Sequence, residues 1–203
     1  MAQPGKNWVT VARSRFPWEQ EALDYVYGQF PAQDNYRAWA NFEFIAEDGS
    51  INEVDLLIAC PNGIFLTEIK SKPGVVSGDA MNWTWEHEGK RHTTENPLLL
   101  ANRKCKRLKS LLCRQRAFNK EAQPYIEPLV FLSNPEVTSQ LTSTAAFNVC
   151  LRDSEASKDS KVATPGIMSA IKRRECPGMK KFEESPVNRP MIRALAQAME
   201  QAG

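Results

Sequence analysis

Two apolar segments joined by Pro61-Asn62-Gly63 constrain the fold of this chain most strongly. The first covers residues 52–58 and the second covers residues 64–70. Asn-Gly between two apolar runs is a strong signal for a two-residue hairpin turn, so we predict two antiparallel strands. Each strand carries ionisable residues among its apolar ones, which is unusual unless the charges have a use.

The predicted turn fixes which side chains share a face of the hairpin. With Asn62-Gly63 as the loop, Asp55 lies opposite Lys70, and Glu68 falls on the same face because side chains alternate along a strand. Asp55 and Glu68 are then diagonal neighbours, with Cα atoms roughly 7–8 Å apart. A register change of one residue would move Asp55 to the opposite face, so the inference depends on the length of the turn.

Two carboxylates at that separation can hold one divalent cation. Oxygen ligands suit Mg²⁺ or Mn²⁺, so we predict Asp55 and Glu68 as metal ligands, with the carbonyl of Ile69 as a further oxygen. A water activated by the metal would attack a phosphodiester, and Lys70 would orient that water or offset transition-state charge. We expect a further carboxylate from the first helix, and we favour Glu19 over its neighbour Glu21.

The alternative is that these groups are solvent-facing charges on a half-exposed strand. Asp55 and Lys70 would then form a cross-strand ion pair worth well under about 1 kcal/mol. The apolar residues around them favour central strands over exposed ones.

Composition indicates an ordinary globular chain. Its 203 residues suffice for one domain with a substantial core, and 42% are hydrophobic and 25% charged. We expect no membrane span, because no run of about 18 apolar residues exists, and we find no secretory signal at the N-terminus. Five scattered cysteines without a C-x-x-C pair argue against structural zinc and favour free thiols in a reducing cytoplasm.

The order of predicted elements is that of an α/β domain with a mixed central sheet. We expect a first helix whose buried stripe includes Trp18, and a later helix that begins at Asn96-Pro97 and ends near Phe118. We expect a domain over residues 1–151, with its core at about 16–133, and a polar linker with a helical extension over 152–203. The remaining predicted elements are strands at 37–46, 126–133 and 147–151, a hairpin at 82–87 and 90–94, and helices at 167–174 and 190–202.

Basic residues crowd the helix that follows Asn96. Such a stripe can contact nucleic-acid phosphates, and the alternative is a solvated helix face. Trp83 and Trp85 could stack on unpaired bases, although a role in covering the core is the favoured interpretation. The candidate nucleic-acid contacts are Arg103, Lys104, Lys106 and Arg107.

Several motifs resemble the nuclease-related domain (NERD) family, which is grouped with the PD-(D/E)XK, restriction-endonuclease-like fold. They are Glu53-Val54-Asp55-Leu56-Leu57, Pro61-Asn62-Gly63-Ile64-Phe65, Glu68-Ile69-Lys70 and Gly78-Asp79. Phe16-Pro17-Trp18-Glu19 and Asn96-Pro97-Leu98-Leu99-Leu100 resemble in particular the N-terminal region of serine/threonine kinases of phage growth limitation and bacteriophage exclusion.

The resemblance implies a restriction-endonuclease-like mixed sheet flanked by helices, with helical additions at the C-terminus. It also implies Mg²⁺- or Mn²⁺-dependent cleavage of nucleic acid in antiviral defence. We expect DNA in preference to RNA as that nucleic acid, although the sequence itself leaves the two open. Its catalytic set matches Glu19, Asp55, Glu68 and Lys70. One departure is Leu100, where many members of the family carry Gln.

The chain contains no kinase motif, so we expect an N-terminal module of a larger kinase or a freestanding relative. A non-catalytic module that senses nucleic acid or a partner and regulates a kinase is the alternative function. Other defence proteins and a second copy of the chain are further candidate partners.

Overall fold

The computed structural model describes residues 7–118, 125–153 and 164–202. Ten strands and four α-helices lie within these ranges. The helices are α1 (Pro17–Gly28), α2 (Pro97–Cys113), α3 (Ile167–Arg173) and α4 (Arg189–Ala202). The strands are β1 (Trp8–Thr10), β2 (Arg37–Ile45), β3 (Ile51–Cys60), β4 (Gly63–Lys70), β5 (Gly74–Gly78), β6 (Asn82–His87), β7 (Lys90–Glu95), β8 (Ile126–Leu132), β9 (Val137–Ser139) and β10 (Val149–Cys150).

A six-stranded mixed sheet forms the centre of the protein, in the order β1-β2-β3-β4-β8-β10. The β2-β3-β4 strands form an antiparallel meander, and β8 then pairs parallel to β4 after the chain has passed through α2. β4 and β8 are buried along almost their whole length, as expected for strands covered on both faces. The expected α/β class with a mixed central sheet, flanking helices and C-terminal helices is confirmed.

Helices cover both faces of this sheet. On one face, Leu56, Ile58 and Phe65 pack with residues of α1 and α3. On the other face, Leu57 and Leu66 pack with residues of α2 and α4. The ionisable residues of β4 therefore lie in the middle layer of a three-layer structure.

A second sheet of four strands, in the order β7-β6-β5-β9, packs beside the first. The predicted hairpin at 82–87 and 90–94 is present as β6 and β7, whereas β1, β5 and β9 were not predicted. Trp83 and Trp85 are 0% and 6% exposed and pack against Val130 and Leu132 of β8. Their role in the core is confirmed, and they are not available to stack on bases.

The turn between β3 and β4 differs from the prediction. Cys60 pairs with Gly63, so the two loop residues are Pro61 and Asn62. Proline has no N–H to donate to a strand ladder, and Pro and Gly at the second and fourth turn positions suit a type I turn. The register therefore shifts by two residues, and because this number is even, residues 56–60 of β3 and their partners on β4 keep their predicted faces.

The C-terminal part of the chain packs against the rest of the protein. β10 extends the central sheet beside β8, and α3 and α4 supply buried residues to its two faces. The predicted polar linker at 152–165 falls largely on residues 154–163, which lie outside the described residues. No helix in the described part of the chain has the length and apolar character needed to cross a membrane.

Arg174 anchors this C-terminal part to the hairpin turn. Its guanidinium donates to the carboxylate of Glu127 and, over 2.8 Å, to the carbonyl of Asn62, and it lies over the ring of Phe182. Both side chains of the Arg174–Glu127 pair are less than a tenth exposed. Removing one member of a buried pair leaves the other charge uncompensated, which costs about 3–5 kcal/mol.

We therefore expect Arg174→Ala to lower the free energy of unfolding by about 3–5 kcal/mol in urea denaturation. The matched control is Arg91→Ala, which removes an exposed ion pair with Glu86 and should cost less than about 1 kcal/mol. Equal losses in the two variants would contradict this role for Arg174.

Candidate functional site

Asp55 lies where the strand ladder of β3 is interrupted on both sides. The pairing with β2 passes from Ala40–Leu56 to Phe42–Val54 and omits Asn41–Asp55. The pairing with β4 ends at Leu56–Thr67.

Two further features mark the same break. Asn41 has a positive φ of 53°, a left-handed conformation that is uncommon for a residue with a side chain. Val54 packs in the same cluster as Leu57, so the usual alternation of faces along β3 is also broken here. A local break of this kind redirects a side chain, and such breaks are frequent beside functional sites.

The carboxylate of Asp55 occupies the gap that this break opens. Its Oδ2 accepts the backbone N–H of Ile69 at 2.7 Å, in place of a ladder hydrogen bond between strands. The carbonyl of Lys70 points toward β8 and accepts from the backbone N–H of Ser133, just beyond that strand. Because successive residues of a strand direct their N–H and C=O groups to opposite neighbours, those of Ile69 point toward β3. The carbonyl oxygen of Ile69 therefore faces the same gap as the Asp55 carboxylate.

Glu68 is buried and is held by two lysines. Its Oε1 accepts from Lys70 Nζ at 2.8 Å, and its Oε2 accepts from Lys104 Nζ at 2.7 Å. Glu68 and Lys104 side chains are 7% and 9% exposed, whereas Lys70 is 31% exposed. Lys70 is thus the member of the group that a ligand in solvent can reach.

The two carboxylates differ in their pKa. Burial raises the pKa of Asp55, the negative charge of Glu68 raises it further, and the resulting value is about 7. The Ile69 N–H and the two lysines act in the opposite direction and lower it, but by less. Burial also acts to raise the pKa of Glu68, but Lys70 and Lys104 outweigh it and hold that pKa below its usual value. Two neighbouring carboxylates with opposite pKa shifts are typical of sites that perform acid–base or metal chemistry.

Glu19 lies in the first turn of α1, which approaches the end of β4. The hydroxyl of Ser71 donates to the carbonyl of Trp18 at 3.4 Å, so this turn lies beside the residue that follows Lys70. The Glu19 carboxylate accepts from Ser14 at 2.7 Å. Among the described residues no hydrogen bond joins Glu19 to Asp55 or Glu68, so its role as a further ligand remains a prediction.

The oxygen atoms at this site match the ligand chemistry of Mg²⁺ or Mn²⁺. Asp55 Oδ1, the carbonyl of Ile69 and the second lone pairs of the Glu68 oxygens are all hard donors on adjoining strands. The ammonium groups of Lys70 and Lys104 balance both carboxylate charges, so a cation should bind more weakly here than between two unpaired carboxylates. In the described ranges no cluster of three or more His, Cys, Asp or Glu side chains forms a ready metal site.

The basic residues of α2 do not form one outward-facing stripe. Lys104 faces inward to Glu68, which differs from its predicted position on a nucleic-acid surface. Arg103 makes two hydrogen bonds to Glu95, and Arg107 contacts Asn52 and Asp48. Lys106 is exposed and lines a shallow depression with Lys109 and Arg114.

The position of Lys104 could have been inferred from helical spacing. Ala101, Cys105, Leu108 and Leu112 form the buried stripe of α2, and Lys104 follows Ala101 by three residues. A lysine on the inner stripe needs a buried carboxylate, and Glu68 on the facing strand supplies it.

An apolar groove of about 260 Å³ lies elsewhere, between β2 and helices α2 and α4. Trp39, Leu108 and Met199 are among its lining residues, and none of the ionisable groups around Asp55 takes part. The candidate site is therefore a polar position at the break in β3 and the end of β4, separate from this apolar groove.

Sequence comparison identifies the class of protein to which this fold belongs. The profile of the nuclease-related domain matches residues 14–133, more than half of the chain, so the chain belongs to the NERD family. The matched region contains α1, the β2-β3-β4 meander, α2 and β8, which together position Asp55, Glu68, Lys70 and Lys104.

A relative in Streptomyces coelicolor (strain ATCC BAA-471 / A3(2) / M145) is described as "Probable kinase PglW". It is 42% identical over 114 residues, which cover 55% of this chain and 7% of the relative. The expected resemblance to the kinases of phage growth limitation is confirmed for this region. No solved structure gives a significant match to the chain.

The geometry predicts opposite effects on stability for two conservative substitutions, measured in EDTA. The folded-state pKa of Asp55 is raised to about 7, whereas the unfolded value is about 4, so rising pH destabilises the fold between these values. Asp55→Asn removes this cost. We expect it to raise the free energy of unfolding at pH 8 by on the order of 1 kcal/mol, with no gain at pH 4.

Glu68→Gln should instead destabilise the protein, because it leaves the Lys104 ammonium buried without a carboxylate. We expect a loss of roughly 3 kcal/mol. Glu95→Gln, which affects an ion pair with half-exposed side chains, is the control and should cost less than about 1 kcal/mol. If Asp55→Asn and Glu68→Gln shift the urea midpoint in the same direction, the assigned burial and pairing are wrong.

Proposed function

We propose that this domain is a divalent-metal-dependent nuclease that cleaves DNA. The observation that supports the proposal most is the Asp55 carboxylate, which accepts from the Ile69 N–H at the break in β3 and is close enough to Glu68 for the charge of Glu68 to raise its pKa. Membership of the NERD family supports it.

Each residue has a role that follows from its position. Asp55, Glu68 and the Ile69 carbonyl would hold Mg²⁺ or Mn²⁺, which supplies Lewis-acid stabilisation and lowers the pKa of water. Lys70, the more exposed lysine of the group, would orient the attacking water and offset negative charge on the phosphoryl oxygens in the transition state. Lys104 keeps the Glu68 carboxylate ionised and fixed in place, and Glu19 would support the site from α1.

The setting we propose is antiviral defence in the bacterial cytoplasm, with the domain acting as a module of a larger kinase. The similarity to a protein described as a probable kinase supports the second part of this proposal. Five cysteines without disulfides agree with a reducing compartment. Lys106 and its neighbours on α2 are candidate contacts for the DNA backbone, whereas Arg103 and Arg107 would first have to leave carboxylate partners.

A second candidate function is that of a non-catalytic module that senses nucleic acid or a protein partner and regulates a kinase. The two lysines on Glu68 favour it, since they neutralise the charge that a metal requires. Calorimetric titration with Mn²⁺ separates the two functions. A nuclease should bind Mn²⁺ and lose the binding in Asp55→Asn, and a sensing module should bind none in either form.

Cleavage tests the first proposal directly. We expect purified protein to cleave DNA, offered both as plasmid and as a single-stranded oligonucleotide, with Mg²⁺ or Mn²⁺ and to be inactive in EDTA. Asp55→Asn and Lys70→Met should each lower the cleavage rate at least about 100-fold, because each removes a group that acts on the water or the metal. Since Asp55→Asn is expected to stabilise the fold, its loss of activity cannot be attributed to unfolding.

The matched control is Glu53→Gln, a substitution at an exposed carboxylate two residues before Asp55 on the same strand. It should cleave at the wild-type rate. Cleavage that persists in both Asp55→Asn and Lys70→Met would mean that another site or a contaminating nuclease is responsible.

A further inference from the structure

Two aromatic side chains at the start of α1 are exposed to solvent and stack on each other. Phe16 and Trp18 are 48% and 55% exposed, and their ring centroids are 5.2 Å apart with an interplanar angle of 19°. The prediction that Trp18 belongs to the buried stripe of α1 is wrong. Ala22, Leu23 and Val26 form the buried face of the helix.

The exposed pair is held in place by the backbone around it. The Ser14 hydroxyl accepts from the Phe16 N–H at 3.1 Å and donates to the Glu19 carboxylate at 2.7 Å. Gln20 accepts from the Ser14 N–H, and the carbonyl of Phe16 accepts from Glu19 and Gln20 in the first turn of α1. The rings therefore project from an ordered segment, so binding a ligand there would require little ordering of the protein.

The pair lies beside the candidate site. The Trp18 carbonyl accepts from Ser71, which directly follows Lys70 at the end of β4. Exposed aromatic rings beside a candidate nuclease site can bind nucleic acid, because unpaired bases stack on such rings regardless of sequence.

Basic residues lie near the pair. Arg15 directly precedes Phe16 in the chain, Lys72 follows Ser71, and both are exposed. Of the acidic groups on α1, Glu21 is paired with Arg152, and Asp24 accepts from Gln20. Aromatic rings flanked by cations match a single-stranded nucleic acid, which offers unpaired bases and phosphates together.

We propose that Phe16 and Trp18 form a stacking platform for an unpaired base of single-stranded nucleic acid and position the adjoining phosphodiester near Lys70. This inference rests on the proposed nuclease function, because the bound strand is a substrate only if the site near Lys70 cleaves nucleic acid. It makes the preferred substrate a single strand, a frayed end or a flap, whereas duplex DNA without unpaired bases binds weakly.

Intrinsic fluorescence gives a direct test, because all five tryptophans lie in the described ranges and the four others are at most 6% exposed. In EDTA, oligo(dT) should quench the long-wavelength emission that comes from Trp18. A blunt duplex of the same length should quench it much less. An oligo(rU) arm distinguishes DNA from RNA as the source of the stacked base.

Variants are compared by the anisotropy of a labelled oligo(dT). Trp18→Ala and Phe16→Ala should each raise Kd about 5- to 100-fold, and Trp18→Phe should recover part of the affinity. The control is Tyr125→Ala, an exposed aromatic that precedes β8 at the opposite end of the parallel β4–β8 pair, roughly 20 Å away. Its Kd should not change.

The outcomes separate this inference from the proposed nuclease activity. Quenching and variant effects without cleavage would support the platform and refute the nuclease. Cleavage without quenching, or with an unchanged Kd in Trp18→Ala, would refute the platform alone. Failure of any oligonucleotide to bind would also refute it and would favour a protein partner for the aromatic pair.

Discussion

The contact between the Glu68 carboxylate and two lysines is the interaction on which the rest of this site depends. Glu68 lies in a strand that is buried on both faces, and a lone carboxylate there would be protonated or would destabilise the fold. Lys104 from α2 keeps it ionised from inside the protein, and Lys70 contacts it from the solvent side. This pairing lets a charged group persist in the middle layer of an α/β fold.

The position of the Asp55 carboxylate depends on a different feature, the interruption of the strand ladder in β3. Because β3 leaves both ladders at this residue, the carboxylate replaces a backbone acceptor for Ile69 and turns toward Glu68. The cost is visible in its raised pKa and in the left-handed backbone of Asn41. A buried carboxylate with a raised pKa beside an interrupted strand ladder is unfavourable for stability, and this favours a function at the site.

Periodicity was enough to predict most of the fold and the common face of Glu68 and Lys70 on β4, whereas Asp55 lies at a break in the alternation of β3. Local signals identified α1, the β6-β7 hairpin and the start of α2, where Asn96 accepts from the Leu98 N–H. They did not identify β1 or β5, since strands of three and five residues gain their stability from pairing with distant partners. The Asn-Gly signal predicts the wrong loop residues because Pro61 has no N–H to donate to the strand ladder and therefore lies in the loop itself.

The exposure of Trp18 and the identity of the carboxylate that pairs with Lys104 required tertiary structure. A lysine on a helix normally extends to solvent, and only the facing Glu68 explains why this one does not. The central claim is that Asp55, Glu68 and the Ile69 carbonyl converge on one divalent cation. Anomalous diffraction from a crystal soaked in Mn²⁺ tests it most directly, and the account predicts a single strong peak within about 2.5 Å of oxygens from all three residues. A peak elsewhere, or none at this position with both lysines still on Glu68, would contradict it.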